Sequence, residues 1–252
     1  MEALTAVFLV ATGFVGGIIT AVVGGSSIIC FPAMLAAGLP PVVASASNTV
    51  AVVPASLIAA YSDTGRAPTW STEVLGLALV GFVGSALGAM LLVALPSAVF
   101  ITVVPILIAV ATLLFAFGER LKTSGWRIGN QSRSVSKPLL FAPVAIYGGY
   151  FGAGMGVMTL AILGLSGPGD HRTTNALKNL LNVLANVVAI GIYILHGIVA
   201  WPETTAMMAG ALVGGFVGGR SMRFLPAQLF RALVVGMGAI LTVVFAWRYW
   251  MA

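Results

Sequence analysis

The chain has 252 residues, 60% hydrophobic by type and only 7% charged. A soluble domain carries about 25% charged residues, so twelve Lys and Arg with six Asp and Glu cannot cover a soluble surface of this size. Soluble enzymes, nucleic-acid-binding domains and secreted disulfide scaffolds are excluded, because the net charge of +6 lies in gaps between apolar runs and Cys30 is the single cysteine.

In chain order, the first apolar run covers 4–23 and, lacking a basic start, reads as a retained span rather than a cleaved leader. The step Gly24-Gly25-Ser26-Ser27 separates it from a short run at 28–37, and longer runs follow at 42–61, 74–95 and 98–117. A polar stretch, 118–137, holds Arg120, Lys122, Arg127, Arg133 and Lys137. The second part repeats the order of lengths. A run at 138–151 is followed by Gly152-Ala153-Gly154-Met155-Gly156, a short run at 157–165, and runs at 173–195, 204–222 and 227–251. A ~30 Å hydrocarbon core needs about 20 helical residues per crossing. The length therefore accommodates roughly eight to ten crossings and almost no domain outside the membrane.

Residue matches at an offset of 130 point to duplication. Gly24 falls on Gly154, Ala46 on Ala176, Gly84 and Gly88 on Gly214 and Gly218, Leu95-Pro96 on Leu225-Pro226, and Phe100 on Phe230. Charge distinguishes parallel from inverted halves. With the basic linker in the cytoplasm, four spans per half leave seven of the twelve cations inside, whereas five segments per half leave only Arg248 outside. The expected fold is therefore all-α. It is a polytopic membrane protein of two inverted-topology repeats, each of about five helical segments including a short broken or re-entrant one. Repeat 1 is expected at 1–117, a cytoplasmic basic linker at 118–137 and repeat 2 at 138–252, with both termini outside the cell.

Short, glycine-interrupted segments at matching places in inverted halves are the sequence pointer to a transporter binding site. Glycine permits the chain to break, and the next helix points its positive dipole end at the gap, as an anion site requires. The candidate residues at the breaks are Gly24, Gly25, Ser26 and Ser27, with Gly154, Met155 and Gly156. Gly13/Gly17, Gly84/Gly88 and Gly214/Gly218 read instead as close helix packing. In the next helix of each half, polar residues interrupt apolar ground. Ser47, Asn48 and Thr49 do so in the first; Asn175, Lys178, Asn179 and Asn182 do so in the second, where Asn186 continues the asparagine face. A lysine deep in a membrane helix costs ~2.5–3.5 kcal/mol to insert. Lys178 therefore either faces a cavity or snorkels to the interface, with the asparagines bonding neighbouring helices. All six carboxylates lie at segment ends, so none is placed to carry a proton or bind Na⁺ within the membrane. No cofactor or metal is expected. The expected partners are a small anionic substrate and the lipid bilayer, and the small-residue faces allow a homodimer without requiring one.

The run Gly24–Pro32 (Gly-Gly-Ser-Ser-Ile-Ile-Cys-Phe-Pro), the step Ala46-Ser47-Asn48-Thr49 and the end Gly65…Trp70 resemble the first-repeat pattern of the TauE/SafE sulfite exporter family. Gly148-Gly149 with 152–156, and Gly197-Ile198-Val199-Ala200-Trp201, resemble its second copy. The resemblance spans nearly the whole chain. It implies a bacterial inner-membrane permease for sulfite, a sulfonate such as sulfoacetate, or a related sulfur oxyanion. The second copy departs from the pattern in lacking the Pro and in carrying Lys178-Asn179, where many relatives have a small-hydroxyl pair. Two other classes compete with an anion exporter. A passive anion channel or assembly subunit would not need two broken segments. An intramembrane serine protease using Ser26 or Ser27 with His196 lacks a nucleophile turn such as G-x-S-x-G.

Overall fold

Ten helices account for most of the residues that the computed structural model describes, which are 2–62, 71–123, 136–164, 171–221 and 227–247. They are α1 (Ala3–Val22), α2 (Ser27–Ala36), α3 (Pro41–Ser62), α4 (Thr72–Ala94), α5 (Ser97–Thr123), α6 (Lys137–Tyr150), α7 (Met155–Gly164), α8 (His171–Leu195), α9 (Trp201–Ser221) and α10 (Ala227–Ala246). Local chemistry sets several ends. Ser71 caps α4 by accepting from the Val74 N–H at 3.3 Å. Pro96 pushes Leu95 out of the helical region (φ −80°, ψ 142°) and ends the same helix. The helix α5 continues to Thr123, past the apolar run that ends at 117. Helix formation there needs no apolar face, and Glu119, Arg120, Leu121 and Lys122 are all good helix formers. Most of the basic stretch, 124–135, lies outside the described residues, as do Gly65 to Trp70 and Leu225-Pro226. The side chain of Phe230 lies outside them as well.

Four of the described helices, α1, α3, α4 and the Thr173–Leu195 part of α8, are long and apolar enough to cross a bilayer. Their outward faces are apolar: Leu4, Val7, Leu79, Val83 and Met90 are exposed, whereas Ser45, Ser47, Asn48, Ser56, Ser85, Lys178 and Asn179 are buried. That inside-out distribution suits lipid rather than water as the surrounding solvent.

Glycines set how the helices meet. α1 lies against α9 with Gly13 on Met207 and Ala211, Gly17 on Ala211 and Gly215, and Ile18 on Gly218, so the two run in the same sense. α9 lies against α3 with Gly215 on Ala55 and Gly219 on Ala59 and Ser62, again in the same sense. α4 and α6 form a like pair, with Gly81 on Phe141, Gly84 on Ala145 and Gly88 on Ile146 and Tyr150. At the shared end of that pair, Lys137 bridges Glu73 at 2.6 Å. α3 and α8 oppose each other: Asn182 bonds Ser56, while the chain beyond α8 reaches Ser47 through Ala200 N. The packing role read for Gly13/Gly17, Gly84/Gly88 and Gly214/Gly218 is the one the structure has.

These directions constrain α2. Since α1 and α3 are parallel, the chain must reverse between them. Residues 37–40, at no more than ~3.6 Å each, cannot carry the chain back along the length of a 22-residue helix. The reversal therefore takes place at the break after Val22, and α2 returns as a half-length arm of 10 residues. Phe31 on this arm packs edge-on against Phe100 of α5 and Phe151 at the end of α6, with ring centroids 6.2 and 5.2 Å apart.

Candidate functional site

Two interrupted helices meet at the centre of the molecule. α1 ends where the Val23 and Gly24 N–H groups both donate to Ile19 O (2.9 and 2.8 Å), and Gly24 and Gly25 take φ of +82° and +103°. α6 ends in the same way. Phe151 and Gly152 donate to Tyr147 O (2.9 and 3.2 Å), and Gly152 and Gly154 take φ of +79° and +81°. These left-handed positions are ones that only glycine adopts cheaply. The shared turn aligns Gly24 with Gly152, 128 residues on, rather than with Gly154. α2 and α7 keep that spacing, since Ser27–Ala36 and Met155–Gly164 are both 10 residues long. The connection 165–170 is two residues longer than 37–40, which restores the offset of 130 by the start of α8.

The breaks touch. A β-carbon on Gly24 would lie 2.9 Å from Gly156 Cα, and one on Gly156 the same distance from Gly24 Cα. Beside this contact is a small cavity of about 30 Å³, room for roughly two waters where one needs ~10–15 Å³. Gly24, Gly25, Ser26 and Ser27 form one wall, and Gly152 and Gly156 another. α3 contributes Thr49, and α8 contributes Lys178, Asn179 and Asn182. The cavity thus gathers nine of the fourteen residues singled out from sequence.

The other five are arranged behind it. Asn48 donates to Ser27 Oγ (2.9 Å) and so orients a wall residue. Ser47 accepts from Ala200 N (2.9 Å), and Asn175 donates to Ala21 O (2.9 Å). Gly154 and Met155 turn the chain into α7, with Met155 buried against Gly148. Thr20, Val52, Val53 and Asn186 also line the cavity and were not picked as site residues, nor was Gly152. Thr20, a hydroxyl one turn before a break, was the available signal, and its Oγ1 donates to Ser26 Oγ at 2.6 Å.

Lys178 is 1% exposed, so it does not snorkel to an interface. Its Nζ donates to Thr20 O at 3.1 Å. Thr20 and Ala21 belong to the last turn of α1, whose carbonyls have no helical partner and carry the negative end of the helix dipole. A cation and an amide from α8 therefore cap the interrupted helix while the ammonium borders the cavity. Asn182 donates to Ser56 Oγ (3.0 Å), and Asn186 donates to Asn182 Oδ1 (3.0 Å). Asn179, also 1% exposed, has neither Nδ2 nor Oδ1 hydrogen-bonded. Among the described residues, the lining contains no Asp or Glu. Among the described carboxylates, Glu2 and Glu73 are exposed and Glu203 lies in the first turn of α9. His196 is exposed past the end of α8, its Nδ1 2.8 Å from Ile192 O, and does not line the cavity with Ser26 and Ser27.

Residues 9–245 match the family model described as "Sulfite exporter TauE/SafE", and the chain belongs to that family. It is 29% identical over 241 residues to a "Probable membrane transporter protein" of Haemophilus influenzae, covering 93% of this chain and 91% of the relative. A "Probable membrane transporter protein ORF9" of Sinorhizobium sp is 30% identical over 242 residues, covering 94% and 90%. The "Probable membrane transporter protein YfcA" of Escherichia coli K12 is 28% identical over 256 residues, covering 96% and 93%. No solved structure matches. The protein is thus a multi-pass membrane protein of a transporter family, not of an enzyme family.

Proposed function

We propose that the cavity between the two glycine breaks binds a small sulfur-containing anion, such as sulfite or an organosulfonate, and that the protein exports it from the cell by alternating access. The observation carrying this reading is the buried Lys178 ammonium beside a cavity whose described walls hold hydroxyls and amides and no carboxylate. The N-terminal ends of α2 and α7 lie at the same place, and their dipoles add to the attraction for negative charge. Export needs no coupling carboxylate, because a potential negative inside drives an anion outward by ~2.3 kcal/mol per charge per 100 mV.

The matched helix pairs support two inverted repeats, 1–117 and 138–252, joined by a cytoplasmic linker. α1 on α9 corresponds to α6 on α4, and α2 on α3 to α7 on α8. The opposed directions of α3 and α8 suit halves of opposite orientation, with both termini outside. Alternating access then consists of one half rocking against the other about the Gly24–Gly156 contact.

The test is a calorimetric screen of the purified protein against sulfite, sulfate, thiosulfate, taurine, sulfoacetate and isethionate. Binding of one or more sulfur anions in preference to zwitterionic taurine is expected. A folded protein that binds none of them contradicts the reading.

A further inference from the structure

The cavity's polar groups are not equally engaged. Thr20 bonds Ser26, Thr49 bonds Ser45 O, Asn182 bonds Ser56, and Lys178 bonds Thr20 O. Asn179 faces the same cavity, is 1% exposed, and has neither amide atom paired. A buried carboxamide without partners is destabilising. Retaining one in a cavity wall makes sense where a bound molecule completes it.

The chemistry of the amide then limits the molecule. A carboxamide presents a donor group and an acceptor, and exchanging its O and N changes only which is where. An anion that only accepts, such as sulfate, doubly ionised sulfite or a halide, can satisfy Nδ2. It also sets its own lone pairs against Oδ1 in a buried site, where the low local dielectric makes the repulsion stronger than in water. An anion with an O–H or N–H of its own satisfies both atoms. Charge limits it further, because among the described residues of the lining Lys178 is the one cation and there is no carboxylate. The cavity is small, about 30 Å³, which favours compact anions whose donor lies close to the sulfur.

Building on the reading of the cavity as an anion site, we infer that it selects monoanions that carry a hydrogen-bond donor beside the charged group, hydrogensulfite being the simplest, over anions that only accept. Asn179 is the residue that discriminates, with Lys178 supplying the charge.

Sulfamate and methanesulfonate test this. Both are monoanions with three oxygens on a tetrahedral sulfur, and they differ in an NH₂ against a CH₃. Affinities of the purified protein for these two and for sulfite are measured at one neutral pH, in the wild type and in Asn179→Leu, which keeps the number and branching of the side-chain heavy atoms. The wild type is expected to bind sulfamate tighter by on the order of tenfold or more, since a site built to bond a polar hydrogen rejects the analogue lacking it. Asn179→Leu should bring the two within about twofold by weakening sulfamate. Its melting temperature should not fall, because an unpaired buried amide is removed. Equal affinities in the wild type, or a sulfamate preference that survives in Asn179→Leu, overturn the inference and leave the anion site standing. Failure of all three anions to bind the folded wild type removes both. Should Asn179→Leu not fold, the wild-type ratio alone decides.

Discussion

Lys178 has two roles at one atom: it caps the last carbonyls of α1 through Thr20 O at 3.1 Å, and it presents positive charge to the cavity. Lys178→Met keeps much of the stem but removes both. Hydrogen bonds to charged groups contribute about 1.5–3 kcal/mol, so anion affinity should fall roughly 10-fold or more, with a lower melting temperature. Lys178→Arg keeps the charge and should restore part of the stability. Unchanged affinity in a folded Lys178→Met protein would remove Lys178 from the site. The glycines give a second residue-scale comparison. Gly156→Ala places a β-carbon 2.9 Å from the Gly24 backbone, which cannot yield as a flexible side chain would. Gly38→Ala meets nothing within 4 Å and bears only the backbone strain of its φ of +91°. That strain is worth about 1–2 kcal/mol. Thermal unfolding of the two variants should therefore show a much larger loss for Gly156→Ala, and equal losses would argue against the close approach of the breaks.

Among the elements, the seams that hold the two parts of the chain together are lined with glycine, because a dry helix interface gains most from close backbone approach. Gly214→Val drives a branched side chain into the Phe14 backbone of α1, and Gly84→Val does the same to Ala142 and Ala145 of α6. Overpacking of this kind costs typically 1–3 kcal/mol. Both variants should lose monodispersity on size exclusion in detergent, while Gly236→Val, where a β-carbon meets nothing, should not. The sequence carried these elements well. The short arms at 28–37 and 157–165 are α2 and α7 within two residues, since each is a short apolar run marked off by a preceding Gly-rich break. Partner choice was not legible. A small-residue face is the same whichever helix it meets, so nothing in Gly13 or Gly17 says α9. Thr20 escaped for a like reason, because a single polar residue in an apolar run reads as a helix-to-helix bond, whereas Asn186 is legible on the asparagine face but not as part of the site. The 128-residue register of the breaks was hidden by two extra residues between α7 and α8, which matter only once the turns are seen in three dimensions.

For the molecule as a whole, scarcity of charge is what the proposed orientation rests on: with twelve cations, each placement shifts the balance between two topologies. The account predicts that cysteines placed at Pro41 and at Gly197 react with an impermeant maleimide from outside intact cells, the native Cys30 being buried. Labelling of either position only after the cytoplasmic face is opened would contradict the inverted arrangement. The cavity could be anticipated from the paired breaks, but its small volume and the unpaired state of Asn179 could not. Both depend on how five helices from two parts of the chain converge. Transport itself is tested most directly in proteoliposomes loaded with sulfite, in which anion efflux is followed under an imposed potential. Protein-dependent efflux, faster when the interior is negative and largely lost in folded Lys178→Met, is the predicted result. Absence of anion efflux from folded wild-type protein, or efflux indifferent to Lys178→Met, would contradict it.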